Sequence, residues 1–419
     1  MKSLQLNQEP KLLRQILYWL SIQPHAAILT GNSYTYPNQP FRNLMAAGKK
    51  SIELNSDWQE TIRQKNPDSW WFGYLGYDLK GTAANEQRPV FLEFPAFKFF
   101  EADAVFETSG SKLVVHSDDP EKLIVEIQSL PEYTARPFPK NPDFTPALGK
   151  TEYLKNVEIV KQLIREGEVY ELNLCQYFQA NWAPDGLSFF DALNKKYPMP
   201  FSGWFRSGSE EIASASPERF LKRDGAELIS QPIKGTARRG QTKEDDEKNR
   251  LALLNSEKER AENMMIVDLV RNDLAKVSKT GSTTVEEMFG IYAFPKVFQM
   301  ISTVRSVLQN GLDTADALDS TFPMGSMTGA PKQEVMKRIS ALEPLRRGAY
   351  SGALGYFGPG TNFDFNVLIR SLFINHKTGE SGFAVGSAIT IDSDPEEEWE
   401  ECRNKAAALL DVCGNSGSF

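Results

Sequence analysis

Two pairs of glutamates spaced three apart, a lysine at a tight turn and an arginine inside an apolar run are the residues best placed to do chemistry. Glu259 and Glu262 fall on one predicted helix and Glu398 and Glu401 on another, so each pair presents two carboxylates on one helix face. Four such groups brought together repel unless a cation neutralises them. Hard oxygen donors suit magnesium, which keeps several waters and uses a few carboxylates plus the substrate. Taken alone, the spacing more often describes a solvated helix face. Lys234 sits between Pro232 and Gly235 in QPIKGTARR, a strand end or loop rigid enough to turn a side chain inward. As a nucleophile it must be neutral, yet a pKa of about 10.4 leaves only roughly one lysine in a thousand deprotonated near pH 7.4. Burial or the field of Arg238 or Arg239 would have to lower it; otherwise it is a surface lysine. Arg370, in VLIRSLF, needs a partner, either a structural carboxylate or that of a substrate. FPMGSMTGAPK and AVGSAI can offer backbone amides to an anion or simply form turns, and neither matches a Walker loop or a dinucleotide fingerprint.

The elements that must position these residues follow from periodicity. KLLRQILYWLSI predicts a short amphipathic helix rather than a signal peptide, because Arg14 and Gln15 break it and no small-residue cleavage site follows. From Gly73 to about Ser117, short runs such as FLEFPAFKFF and KLVVHS predict strands. The proline-rich stretch from Pro131 to Pro146 is a linker or a loop within one domain. EYLKNVEIVKQLIREG predicts a helix ending at Gly167, and EVYELNLCQYFQANW a strand. Asn255 or Ser256 caps the helix carrying Glu259 and Glu262, with Met265, Leu269 and neighbouring apolar positions toward the core. YSGALGYFG, NFDFNVLIRSLFIN and ESGFAVGSAITID predict three strands, the last two joined at HKTG, before Asp394 and Pro395 open the final helix. Without regular βαβ alternation, the expected fold is a mixed α+β domain, largely antiparallel.

Composition narrows the function. The 419 residues suffice for one large domain or two ordinary ones. A formal charge of -8 disfavours a nucleic-acid binder, which needs a basic surface. Three cysteines, Cys175, Cys402 and Cys413, form no Cys-x-x-Cys pair, which fits a reducing cytoplasm. No apolar run approaches a membrane span.

In this order SPERF, PIKGTARRG, ERAENMMIVDLVRNDL, FPMGSMTGAPK, GALGYFG and DPEEEWEECRNKA resemble the chorismate-utilising enzymes of the anthranilate synthase component I family, over roughly Gly149 to the carboxyl end. The resemblance implies large, mostly antiparallel sheets packed face to face with helices outside, and a variable part, 1–145, integrated with a chorismate-binding catalytic core, 146–415. It implies magnesium held by Glu262 and Glu401, with Glu259 and Glu398 completing the site, and a ring carboxylate of chorismate chelated beside the backbone of Gly386, Ser387 and Ala388. It implies Tyr356 and Arg370 as holders of the enolpyruvyl carboxylate, Ser326 and Gly329 along the ring, and Lys405 facing the cleft. Glu218 of SPERF resembles the general acid for the C4 hydroxyl, which requires a pKa raised by desolvation and neighbouring carboxylates. Anthranilate synthases read Pro-Ile-Ala-Gly where this chain reads PIKG. The lysine is similar to that of the aminodeoxychorismate synthase branch, in which it attacks C2 before ammonia enters at C4, giving a precursor of para-aminobenzoate and folate. Isochorismate synthases use a lysine to activate water where Glu171 stands here. Gln299, in VFQMIS, replaces the usual histidine as a substrate contact that cannot move protons, and Ala388 replaces a glycine. No cysteine lies in a nucleophile elbow, so a separate glutamine amidotransferase subunit is implied as the ammonia source.

Overall fold

Runs of β-branched and aromatic residues, bounded by turn residues, build two antiparallel sheets of 12 and 10 strands. The coordinates are a computed structural model that describes residues 1–54, 57–80 and 87–414. Residues 81–86 of the strand-rich stretch and residue 415 of the expected core lie outside the described residues. The sheets pack face to face through rings: Phe100 stacks on Phe205 across them at 6.1 Å and Tyr74 meets Phe205 edge-on at 5.6 Å. Burying each such ring contributes roughly 1.5–3 kcal/mol.

Strands from the first 117 residues are not a separate body. His25–Thr30 pairs with Phe201–Ser207 in the first sheet, and Trp71–Leu75 pairs with Ala353–Phe357 in the second. The proline-rich stretch is a pinned loop: the Tyr133 amide donates to Arg14 O at 2.9 Å and the Asn141 amide to Cys413 O at 2.8 Å.

Three local expectations are corrected. FLEFPAFKFF holds a strand only at Phe97–Glu101, since Pro95 interrupts the ladder. In the helix Glu257–Ala275 the core face is Ile266, Val267, Val270 and Leu274, while Met265 and Leu269 are half-buried. MMIVDLV is apolar almost all round, so its sequence alone does not fix the face. NFDFNVLIRSLFIN is two strands: Phe363–Asn366 belongs to the second sheet and Ser371–Asn375 to the first. The chain crosses between sheets at 367–370, with Arg370 at φ 52°, a left-handed conformation that ends the first extended run.

The other elements follow their signals. Ser256 accepts from the Glu259 amide as the helix cap. Asp394 accepts from the Glu396 and Glu397 amides and Pro395 opens the helix Pro395–Cys413. The strand Glu171–Ala180 is buried along nearly its whole length, because helices cover the face that would otherwise meet water.

Candidate functional site

The site lies where the chain changes sheets. The strand Glu210–Ser216 leaves the first sheet and Arg219–Asp224 enters the second, which puts Glu218 at the crossover. The return crossover at 367–370 lies beside it: the Val367 amide donates to Glu218 O at 3.0 Å, Ser216 Oγ to Val367 O at 2.7 Å, and the Ala215 amide to Arg370 O at 3.1 Å. Glu218 and Arg370 are therefore carried on twinned backbone segments whose own polar groups are satisfied.

Lys234 is aimed by a bulge. Residues 227–230 and Ile233 keep one register against Val297–Val307, which shifts before Thr236, so Lys234 and Gly235 are the unpaired step. Gly235 has φ 94°, and a Cβ there would stand 3.0 Å from Glu259 Oε2. The same bulge thus turns the lysine inward and lets the helix Glu257–Ala275 bring Glu259 close.

Lys234 Nζ donates to Glu171 Oε1 at 2.6 Å, an ion pair between the two sheets. Glu171 is 1% exposed and its Oε2 has no partner among the described residues. Gly329, at φ 140°, lies so near the Glu171 backbone carbonyl that a Cβ would collide with it, so this glycine lets its short strand pair closely with the start of the strand Glu171–Ala180. Burial pulls the Lys234 ammonium down, but Glu171, Glu262 and Glu401 together outweigh it and raise its pKa above the ordinary value. This corrects the expected lowering. Arg239 is engaged by Asp246 at 2.6 Å and Arg238 is exposed, so neither supplies the cationic field.

Glu218 is 5% exposed, and burial pushes its carboxyl up to about 7. The expected contribution of neighbouring carboxylates is corrected: Ser326, Lys234, the Ile233 amide and Lys405 all pull the other way. Ser326 Oγ is buried beside it and makes no hydrogen bond of good geometry among the described residues. A carboxylic acid titrating near neutrality can both give and take a proton.

The glutamate pairs face this cleft from two helices. Glu262 is pushed up to about 7 by burial, against Lys234 and reinforced by Glu171 and Glu259. Glu259 is raised by burial, with Glu401 adding to it. Glu401 is held low by Lys405, whose Nζ lies 2.5 Å away and also donates to Gly386 O at 2.7 Å. Glu398 accepts from Ser387 Oγ. Among the described residues no three acidic, histidine or cysteine groups close into a ready-made metal cluster. The donor set still fits magnesium: all four are hard oxygens, and desolvation of half-buried Glu262 and Glu259 outweighs the nearby lysines, a cost that a cation would offset. An open, hydrated cation suits that arrangement better than a protein-only cage.

Arg370 is half-buried, and its guanidinium has no hydrogen-bond or ion-pair partner among the described residues, which removes the structural salt bridge as its explanation. Burial lowers its pKa, with Glu401 opposing. The ladder between Ser371–Asn375 and Glu380–Ile389 ends at Gly382, and among the described residues no strand pairs on that side with the edge beyond it, at Gly386, Ser387 and Ala388. Their other edge pairs with Cys175, Leu174 and Asn173. Gln299 is 3% exposed, opposite Thr236, with Oε1 unpartnered among the described residues.

Tyr356 stands apart from this group. Its ring lies 5.7 Å from Trp70 and 5.9 Å from Phe72, and Arg42 interacts with its hydroxyl. Tyr350 is nearer the cleft, its hydroxyl 3.9 Å from Sγ of Cys175, which pairs with Gly386. Sequence reasoning gave no role to Tyr350, and read Glu171 only as a replacement. Its signal was a glutamate opening a strand that is otherwise buried.

Residues 9–411 match the family described as chorismate binding enzyme. The chain is 43% identical over 267 residues to a probable chloroplastic aminodeoxychorismate synthase of Oryza sativa subsp. japonica, covering 63% of this chain but only 30% of that protein. It is 38% identical over 386 residues to anthranilate synthase component 1 of Methanothermobacter marburgensis, covering 88% of this chain and 83% of that one. The fold is that of anthranilate synthase component I from Streptococcus pneumoniae, with a TM-score of 0.76 at 24% identity over 98% of this chain and 92% of that chain.

Proposed function

Because the chain belongs to the chorismate binding enzyme family, we propose that it converts chorismate and ammonia to 4-amino-4-deoxychorismate, a precursor of para-aminobenzoate and folate. The observation that carries this reading is a lysine amine, Lys234, turned by its bulge into the cleft that Glu218, Glu262 and Arg370 share.

In this reading Arg370 pairs with the enolpyruvyl carboxylate, which answers its missing partner. The free edge at Gly386, Ser387 and Ala388 lies along the ring carboxylate, and Ser326 and Gly329 line the ring. A magnesium ion held by Glu262 and Glu401, with Glu259 and Glu398, would supply charge neutralisation among these carboxylates and a grip on the ring carboxylate. Lys234, once neutral, attacks C2 while the ring double bonds shift and the C4 hydroxyl departs as water with the proton of Glu218. Ammonia then attacks C4, the double bonds return and the lysine leaves. The new C4 ammonium returns a proton to Glu218. Ammonia comes from glutamine through a separate amidotransferase subunit, and the protein works in the cytoplasm.

Anthranilate synthesis is the second reading, favoured by the Methanothermobacter relative. Supplying chorismate, magnesium and ammonium and identifying the product separates the two. A non-fluorescent amine that retains its pyruvyl group is expected; fluorescent anthranilate would overturn the proposal, isochorismate would remove Lys234 as nucleophile, and no turnover would favour a binding subunit.

A further inference from the structure

A lysine meant to attack cannot begin as an ammonium, and Lys234 is held as one. Its only hydrogen-bond acceptor among the described residues is Glu171, at 2.6 Å. We infer that Glu171 is the base that takes the proton from the Lys234 ammonium before attack and returns it when the lysine is expelled, an inference that rests on Lys234 being the nucleophile.

Three observations lead there. The first is how little holds Glu171. The buried Glu343 is saturated, taking Arg347 through both oxygens, the Tyr177 hydroxyl and the Cys175 amide. The buried Glu211 takes Trp204, Arg206 and His376. Among the described residues Glu171 takes Lys234 alone, and its Oε2 is buried without a partner. A carboxylate fixed by several donors resists protonation, whereas one with a single donor is free to accept that donor's proton. The second is placement. Glu171 opens its strand, with Gly329 packed against its carbonyl and Leu172 paired to Gly329, so its backbone cannot follow the lysine toward the ring. The third is surroundings. Glu171 is buried and the Lys234 side chain is 10% exposed, so a substrate ring lying on Lys234 would displace the little water that reaches it. A dry site favours the neutral amine and acid over the separated charges.

The protons balance. The ammonium proton moves from Nζ to Oε1, leaving an amine with its lone pair and a neutral Glu171. Bond formation between Nζ and C2 makes a secondary ammonium on the lysine. When ammonia enters at C4, the Nζ–C2 bond breaks, the electron pair of that bond returns to Nζ, and the amine recovers its proton from Glu171. Glu218 handles the separate proton of the C4 hydroxyl.

A merely electrostatic role predicts the opposite response to charge removal. If Glu171 only restrains Lys234, Glu171→Gln frees the amine and the adduct forms as fast or faster. If Glu171 is the base, adduct formation slows by about 100-fold or more. The test is rapid-quench intact mass after mixing protein with chorismate and magnesium, without ammonia. Wild type is expected to gain one chorismate minus water at Lys234, and Glu171→Gln to gain it slowly. Glu171→Ala is expected to be slow but accelerated by added formate, which the bulkier glutamine side chain excludes. Wild-type rates in Glu171→Gln, or no response of Glu171→Ala to formate, would overturn the inference while leaving Lys234 as nucleophile. Turnover of the wild type without any adduct would overturn the nucleophile itself and this inference with it.

Discussion

Two acid–base pairs, one buried at both ends and one with a half-buried lysine, lie close together, and their difference separates structure from chemistry. Arg347 and Glu343, 1% and 3% exposed, are tied by bonds of 2.6 and 3.0 Å, and Arg347 also donates to Met327 O and Asn173 O. Every strong group there has a protein partner. Lys234 and Glu171 share one bond, and among the described residues Oε2 of Glu171, Oε1 of Gln299 and Oγ of Ser326 are buried without a hydrogen bond of good geometry, while the half-buried guanidinium of Arg370 has no ion-pair partner. Leaving a buried polar group unmet costs about 1–3 kcal/mol, so several in one cleft mark where a ligand completes the arrangement.

The largest expected effect sharpens the open side of this comparison. Glu218→Gln should lower turnover about 100- to 10000-fold, because an amide cannot donate the leaving proton. In the wild type the acid form is present below a pKa of about 7, so turnover should fall as pH rises past that value, and the variant should lack that limb. Stability carries a matching signature. The folded carboxyl keeps its proton to about 7, whereas the unfolded one loses it near the ordinary value of 4.5, so folding weakens as pH rises between them. A pH series of melting temperatures should show this loss in the wild type and less of it in Glu218→Gln.

The closed side breaks differently. Glu343→Ala strands a buried guanidinium and should cost about 3–5 kcal/mol, read as a lower urea midpoint. Replacing Arg347 by methionine as well should recover part of that loss. A double variant as unstable as the single one would show that the pair is not the saturated structural unit described here.

How much of this was legible in the sequence depends on how local each signal is. The capped helices carrying the glutamates are short-range patterns, and Ser256 and Asp394 act as their spelling suggests. The two-sheet α+β architecture also follows from strand runs without βαβ alternation. Arg370 was found as an interior arginine, but its crossover was not, because an apolar run reads the same whether it stays in one sheet or leaves it. Lys234 was found by its turn. Its ion pair was not, since Glu171 is 63 residues away and only the pairing of the two sheets brings them together. Tyr356 carries a motif-like spelling yet faces Trp70 and Arg42, which no spacing along one strand reveals.

Smaller effects test the unpartnered groups. Arg370→Lys should raise KM for chorismate roughly 10- to 100-fold with little change in kcat, because a planar fork becomes a single ammonium. Smallest of all, Gln299→Leu should stabilise the protein by about 1 kcal/mol by removing an unmet carbonyl, and raise KM a few-fold if that oxygen meets substrate. A loss of stability would mean the carbonyl already has a partner, and would weaken the contrast between the two regions.

The proposed attack by Lys234 is tested most directly by the mass of the intact protein incubated with chorismate and magnesium but no ammonia. The account predicts a gain of one chorismate less one water, mapped to Lys234 and absent from Lys234→Ala, which also loses amination. Full amination by Lys234→Ala, with no adduct on the wild type, would contradict it.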